Sequence, residues 1–454
     1  MMTRESGLKR VLTAWDLFFM GIGAIIGTGI FVLTGIAAAT QAGPAVIISF
    51  LIAGASAAFA AFAYAELAGM LGGSGSAYGY ARTAFGEFVG WLIGWVLVME
   101  YAVSVAAVST GWSGYFNNAL TAAGFGLPDY LTKAPALGGI INLPAAGIIL
   151  VLMSLLIIGT KEGARLNTAM VFVKLLTIAV FLVVGIGYVN VDNWSPFMPF
   201  GWFGHAADGH PIGILAAASL VFFAYVGFDA VSTATEEAKN PQKDVPRGLL
   251  WALAVCSVVY ILVSIVLTGM VSYTELNVPS PVAHALQLVG VSWASALVST
   301  GAVAGLTTVM LVLYYGLTRI LFAMSQDGML PAPLSRVSDK HHTPVNSIVI
   351  TGVIMSLMAG FLPLGTLAEL VNVGTLSAFV LVSLAVIILR RTQPDRYRPF
   401  VIPGGVIIPF LGILFCGGLM AFLPSDTWVR FGIWVLIGVL IYAVYGRKMT
   451  NCAV

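Results

Sequence analysis

Residues 15–40 read WDLFFMGIGAIIGTGIFVLTGIAAAT, and the segment GIGAIIGTGIF at 21–31 decides what kind of molecule this is. From Leu17 to Thr40 there is no charged side chain. At about 1.5 Å of rise per residue, such a run is long enough for a helix to cross a hydrocarbon core of roughly 30 Å. Four glycines, at 21, 23, 27 and 29, crowd its centre. Each weakens a helix by about 1 kcal/mol relative to alanine, and in lipid any backbone group released by a break needs another partner. The stretch predicts a discontinuous helix whose second half starts near Gly29, with unpaired N–H groups and the positive end of a helix dipole directed at an anion.

Two other readings compete with that one. Gly23 and Gly27 have the spacing that lets membrane helices pack closely, and on this stretch alone packing and binding stand level. A dinucleotide loop fails, because no strand precedes Gly21, position 26 is isoleucine, and the first acid downstream is Glu66.

The rest of the chain shares this character. Its 454 residues are 59% hydrophobic and 9% charged, with a mean hydropathy of +0.97, the composition of a polytopic helical membrane protein. The first apolar run is too long for the core of a signal peptide and reads as a retained span. Twelve stretches are long enough to cross, near 15–40, 43–69, 87–116, 139–159, 166–189, 211–235, 248–272, 293–324, 345–364, 368–390, 400–423 and 427–446. With the N-terminus inside, eighteen of the 21 lysines and arginines fall in cytoplasmic segments, Lys133 and Arg430 fall outside, and Lys174 lies within a span. This asymmetry favours twelve spans with both termini cytoplasmic.

The longest connections, about 117–138 and 190–210, are too short for a soluble catalytic domain, and no phosphate-binding Gly-x-x-x-x-Gly-Lys-Ser/Thr loop occurs. The chain reads as no enzyme, with no cofactor, bound metal or nucleic-acid partner, and with an ion gradient as its energy source. Cys256, Cys416 and Cys452 are scattered and suggest neither a disulfide framework nor a metal site.

A second interrupted segment, LVFFAYVGFDA at 220–230, follows the first by about 200 residues. Gly227 and Asp229 disfavour a continuous apolar helix, so a break is expected near 224–227. Paired interruptions in corresponding positions of two halves point to a transporter site built from inverted repeats. Spans 1–5 (residues 1–190) and 6–10 (191–392) would be the repeats, with spans 11 and 12 and a tail (393–454) appended.

Several motifs carry a resemblance over nearly the whole chain: GTGIF at 27–31, GSGSAYGY at 73–80, FDAV at 228–231 with EEAKNPQKDVPR at 236–247, and FAMSQDGMLP at 322–331. In this order they resemble the amino acid–polyamine–organocation (APC) transporters. TPVNS at 343–347 and RPFVIPG at 398–404 look like the cationic amino acid transporter branch in its bacterial form. The resemblance implies an all-α membrane protein with a LeuT-like five-plus-five inverted repeat, broken helices 1 and 6, and secondary transport of amino acids.

An amino acid presents a carboxylate and an ammonium. Free N–H groups around Thr28, Gly29 and Ile30 are expected to take the first, and unpaired carbonyls near Ile25, Phe223, Ala224 and Val226 the second. The resemblance maps the substrate site onto these positions, with the Phe223 ring as a gate; ordinary packing is the other reading of that ring. Glu100 lies in mid-membrane, where a carboxylate is a functional candidate by default. The resemblance places it at the distal end of the substrate pocket with Leu313, whose bulk favours smaller substrates. Val96 stands where some relatives carry a second acid, which weakens the case for arginine or lysine as substrate. Asp229 reads either as part of an inner gate or as a helix-end hydrogen bonder. Glu66 and Glu369 read as interfacial, the loop charges at 236–247 as a solvated connection, and His341-His342 as an exposed pair.

Lys174 has no acid within seven residues on either side. A lone ammonium inside a span is a candidate titrating group, against a permanent structural cation. Resemblance to proton-coupled relatives puts it where sodium-driven members of the fold bind Na⁺ between spans 1 and 8. Its ammonium would then bond carbonyls near the span 1 break, with Thr307 or Thr308 as further partners.

These readings make the chain a plasma-membrane amino acid permease coupled to protons. An exchanger without net proton movement, and a non-transporting receptor or interaction subunit, are the alternatives, and a small membrane-protein partner is left open.

Overall fold

The computed structural model describes residues 12–71, 77–158, 163–207, 209–233, 235, 238–338 and 343–446. Part of the 73–80 motif, Glu236, Glu237, the His341-His342 pair and Cys452 lie outside them.

Among the described residues the fold is helical apart from one two-stranded hairpin, Gly204–His205 with Pro211–Ile212. The helices of eight residues or more are α1 (Ala14–Ile25), α2 (Val46–Leu71), α3 (Ala77–Phe85), α4 (Glu87–Ala122), α5 (Leu143–Ile158), α6 (Gly163–Gly185) and α7 (Ile214–Val221). They continue with α8 (Pro241–Met270), α9 (Pro281–Leu288), α10 (Ser292–Gln326), α11 (Val345–Phe361), α12 (Leu364–Thr392), α13 (Ile407–Ala421) and α14 (Ser425–Ile441). Seven helical stretches among the described residues are long and apolar enough to cross a membrane, and five shorter apolar helices accompany them.

Local chemistry accounts for the helix ends. Thr13 caps α1 through a reciprocal pair, its N–H donating to the Asp16 carboxylate at 2.8 Å while its hydroxyl accepts from the Asp16 N–H at 3.4 Å. In α8 the Asn240 N–H donates to the Asp244 carboxylate at 3.0 Å, so Lys243, Asp244 and Arg247 belong to a helix rather than to the loop expected there. The helix expected from about 400 begins at Ile407 instead. Pro403 is followed by Gly404 and Gly405, both with positive φ (+75° and +65°), a conformation that ends any helical register before it.

Packing sorts the helices into two groups. In one, α2 and α1 lie against α8, and α7 lies on α2; in the other, α4 packs on α10, α5 and α11. Helices α6 and α12 touch both groups, α6 against α10 and α1, α12 against α4 and α2. Close approach needs missing side chains: a Cβ at Gly21 would meet Ala252 at 2.7 Å, and one at Gly248 would meet Leu17 at 2.7 Å. At the periphery, α14 is pinned to α4 by Trp95 and Trp434. Their rings stack at 4.4 Å, and each indole N–H donates to the other's carbonyl, at 2.8 and 3.0 Å. The outer faces of α5, α6, α13 and α14 carry exposed large apolar side chains such as Val151, Val183, Phe410 and Leu436, the surface that lipid covers in a membrane protein.

Candidate functional site

Both interruptions expected from the sequence are present. Helix α1 ends at Ile25, Ile26 is extended (ψ 102°), and helical winding resumes as a π segment at Gly29–Leu33. Helix α7 passes into a 3-10 turn at Phe222–Tyr225, Val226 is extended (ψ 138°), and Gly227 has φ +103°, which only glycine adopts without strain. The winding resumes at Ala230–Thr233.

The two breaks touch. A Cβ on Gly29 would run into the Cα and Cβ of Ala224, so the role of Gly29 is to let one broken backbone lie on the other. Gly27 is different, since a Cβ there would meet only Val309, at 3.8 Å.

Beside the junction lies a small cavity. Of the residues singled out from the sequence, Ile25, Thr28, Gly29, Phe223, Val226 and Leu313 line it, joined by Ser104 and Val108 of α4 and Val309 of α10. Ile30 and Ala224 are buried behind the wall. Glu100 is also absent from the wall; it sits one helical turn from Ser104, 2% exposed.

At the head of the resumed segment the first N–H groups have no preceding turn to donate to. The Phe31 N–H reaches back to the Gly27 carbonyl at 3.3 Å, and the Thr28 hydroxyl donates to the Val108 carbonyl at 3.4 Å. The junction therefore presents backbone donors and a helix N-terminus to a small cavity, which suits a carboxylate.

Lys174 of α6 is fully buried, and its ammonium donates to the Gly23 carbonyl at 2.7 Å, just before the first break. Gly305 of α10 makes room for the lysine chain, since a Cβ there would meet Lys174 Cγ at 2.6 Å. The threonines expected as further partners turn to their own helix instead: Thr307 donates to the Val303 carbonyl at 2.7 Å and Thr308 to the Gly305 carbonyl at 2.8 Å.

A family model described as amino acid permease matches residues 12–447. The chain belongs to the amino acid permease family. The permease is 49% identical over 449 residues to the branched-chain amino acid permease BcaP of Bacillus subtilis (strain 168), covering 98% of this chain and 94% of that one. It is 48% identical over 448 residues to the methylthioribose transporter of the same organism, covering 98% and 95%. It is 38% identical over 400 residues to the vacuolar cationic amino acid transporter 4 of Arabidopsis thaliana, covering 86% and 64%. The permease is a transporter and not an enzyme.

The structure adds residues to the site that motif reading passed over. The Tyr260 hydroxyl of α8 lies 2.9 Å from the Ile25 carbonyl and 2.8 Å from the Ala224 carbonyl, bridging the two breaks with one proton. The Asn372 amide of α12 donates to the Ser219 and Leu220 carbonyls at 2.7 and 3.0 Å, satisfying groups released where α7 ends. Each is a polar side chain in an apolar run, and that is the signal available in the sequence. Asp229, 5% exposed, accepts the Ser232 hydroxyl on its carbonyl at 2.6 Å and lies within electrostatic reach of Glu100.

Glu66, near the end of α2, is 1% exposed, bonded through both oxygens to Arg390 (2.8 and 2.5 Å) and through one to the Ile402 N–H at 2.9 Å, with Arg398 3.7 Å away. Outside the apolar helices, Tyr78 of α3 donates to Asp327 at 2.9 Å, and burial together with that carboxylate pushes its phenol up.

Proposed function

We propose that the permease imports amino acids across the plasma membrane by proton symport. The observation that carries this reading is the meeting of two interrupted helices at one small, largely apolar cavity. Backbone donors around Thr28, Gly29 and Ile30 would hold the α-carboxylate. The carbonyls of Ile25, Phe223, Ala224 and Val226 would hold the ammonium; Tyr260 has one proton for two carbonyls, and each carbonyl keeps a spare lone pair. Phe223 would close over the substrate, with Asp229 on the side away from the carboxylate. Twelve spans, a LeuT-like five-plus-five repeat and cytoplasmic termini complete the arrangement.

Lys174 is the proposed coupling residue. Its ammonium ties α6 to the Gly23 carbonyl, and loss of its proton would release that tie and let the two helix groups shift relative to each other. A fixed cation in this position implies uptake that is indifferent to sodium.

Purified permease in proteoliposomes tests the reading. Uptake driven by an inward proton gradient, unchanged by sodium and collapsing in Lys174→Ala, supports it. Robust gradient-driven uptake by that variant rules Lys174 out. A requirement for internal amino acid would mean exchange, and no uptake at all would mean a receptor. Amino acid amides should fail to compete, because the N–H cradle recognises a carboxylate.

The relative named for methylthioribose, at 48% identity, favours a second reading, in which the cavity takes a neutral thioether sugar with neither carboxylate nor ammonium. Displacement of bound amino acid by methylthioribose, with amides competing equally well, would establish it.

A further inference from the structure

Ser104 is 2% exposed, it lines the cavity, and its hydroxyl has no hydrogen-bond partner among the described residues. Several buried hydroxyls on the helices return their proton to their own backbone, as Ser264 does to Tyr260 O (2.7 Å) and Thr351 to Ser347 O (2.6 Å); Ser295 and Ser383 are buried without a partner among the described residues as Ser104 is, but neither lines the cavity. On the same helix, Ser109 donates to the Ala106 carbonyl and Thr110 to the Ala107 carbonyl. A buried hydroxyl without a partner is costly in an apolar setting. Ser104 is held at the wall of the transport cavity in that state.

The surroundings define what would satisfy it. Thr28, the other hydroxyl on the wall, is engaged with the Val108 carbonyl, and Val108, Val309, Leu313 and Val226 make the remaining side-chain wall apolar. Ser104 stands one helical turn from Val108, about 6 Å along the axis. A substrate whose carboxylate rests at Thr28 and Gly29 would therefore bring its first side-chain atoms, rather than a distant head group, to the serine. A hydroxyl both donates and accepts, and so matches another hydroxyl.

We propose that Ser104 is a specificity-determining residue that hydrogen-bonds a β-hydroxyl on the substrate, so that the site accepts threonine alongside its isostere valine and ranks the two. This rests on the amino acid reading of the cavity given above. An apolar pocket discriminates weakly between such isosteres, whereas a hydrogen bond made to one of them separates them.

The test measures dissociation constants of L-threonine, L-valine and L-alanine by ligand-induced thermal stabilisation of the full-length permease, in the natural sequence and in Ser104→Ala and Ser104→Cys. Cysteine preserves the bulk of serine but is a weak donor, which separates lost hydrogen bonding from added space. The natural sequence is expected to bind threonine at least as tightly as valine. Both variants should weaken threonine by about tenfold while leaving valine unchanged or tighter. Equal weakening of all three ligands, as for a serine holding a water toward Glu100, overturns the proposal, as does no change for any. If none of the three stabilises the natural sequence, this inference fails, and the amino acid reading fails with it when a panel of the remaining amino acids also gives no stabilisation. That result is distinct from one in which valine and alanine bind and threonine does not respond to position 104.

Discussion

Glu66 and Glu100 are both buried carboxylates, 1% and 2% exposed, and the molecule treats them in opposite ways. Glu66 accepts from Arg390 through both oxygens and from the Ile402 N–H, with Arg398 beside it. Glu100 has an oxygen with no partner among the described residues and a second acid, Asp229, within electrostatic reach. The first is a lock: it ties α2 to the end of α12 and to the segment leading into α13. The second is placed one turn from the cavity, in an environment no structural lock would select. Burial of a charge is thus no guide to its role; the completeness of its partners is.

Substitutions at the two sites sharpen or break this contrast, and thermal unfolding of the purified permease reads them. The largest effect is expected for Glu66→Ala, which strands Arg390, 17% exposed in its side chain; removing one partner of a buried pair costs roughly 3–5 kcal/mol. An unchanged midpoint there would mean the arginines find other acceptors and the lock does not exist. Glu66→Gln keeps the shape but loses the charge-assisted bonds, for about 1.5–3 kcal/mol.

Tyr260→Phe should cost about 1 kcal/mol, the worth of one ordinary hydrogen bond. It should also weaken amino acid binding, because the Ile25 and Ala224 carbonyls lose their common donor. The smallest effect on stability belongs to Glu100→Gln, within about 0.5 kcal/mol, because the unpartnered oxygen has no bond to lose. Uptake by that variant should nonetheless fall. A large loss of stability with uptake retained would place Glu100 with Glu66 as a structural group.

Gly27 and Gly29 allow a parallel comparison inside the first break. Gly29→Ala forces a methyl into the Ala224 backbone and should abolish binding, whereas Gly27→Ala meets Val309 at an ordinary contact distance and should fold normally. The sequence marks Gly29 as a donor toward a substrate carboxylate, and the structure supplies a further reason for glycine there, the approach of the second broken helix.

The properties legible in the chain alone are those written locally. Apolar length marks the helices, and the glycines at 21–29 with Gly227 and Asp229 mark where they break, because backbone freedom and the cost of a charge in lipid depend on the residue itself. Lys174 stood out in the same way, as the lone cation inside an apolar run. The partners of these groups emerge only from the packed fold. Arg390 reaches Glu66 across 324 residues and Tyr260 reaches Ile25 across 235, pairings that no local pattern encodes because they depend on which helices pack together. The same holds for Ser104. Serine is common in such helices, and only the packed fold shows that this one faces the cavity with its hydroxyl unmet, since a lone pair is filled or left open by atoms far away in the chain.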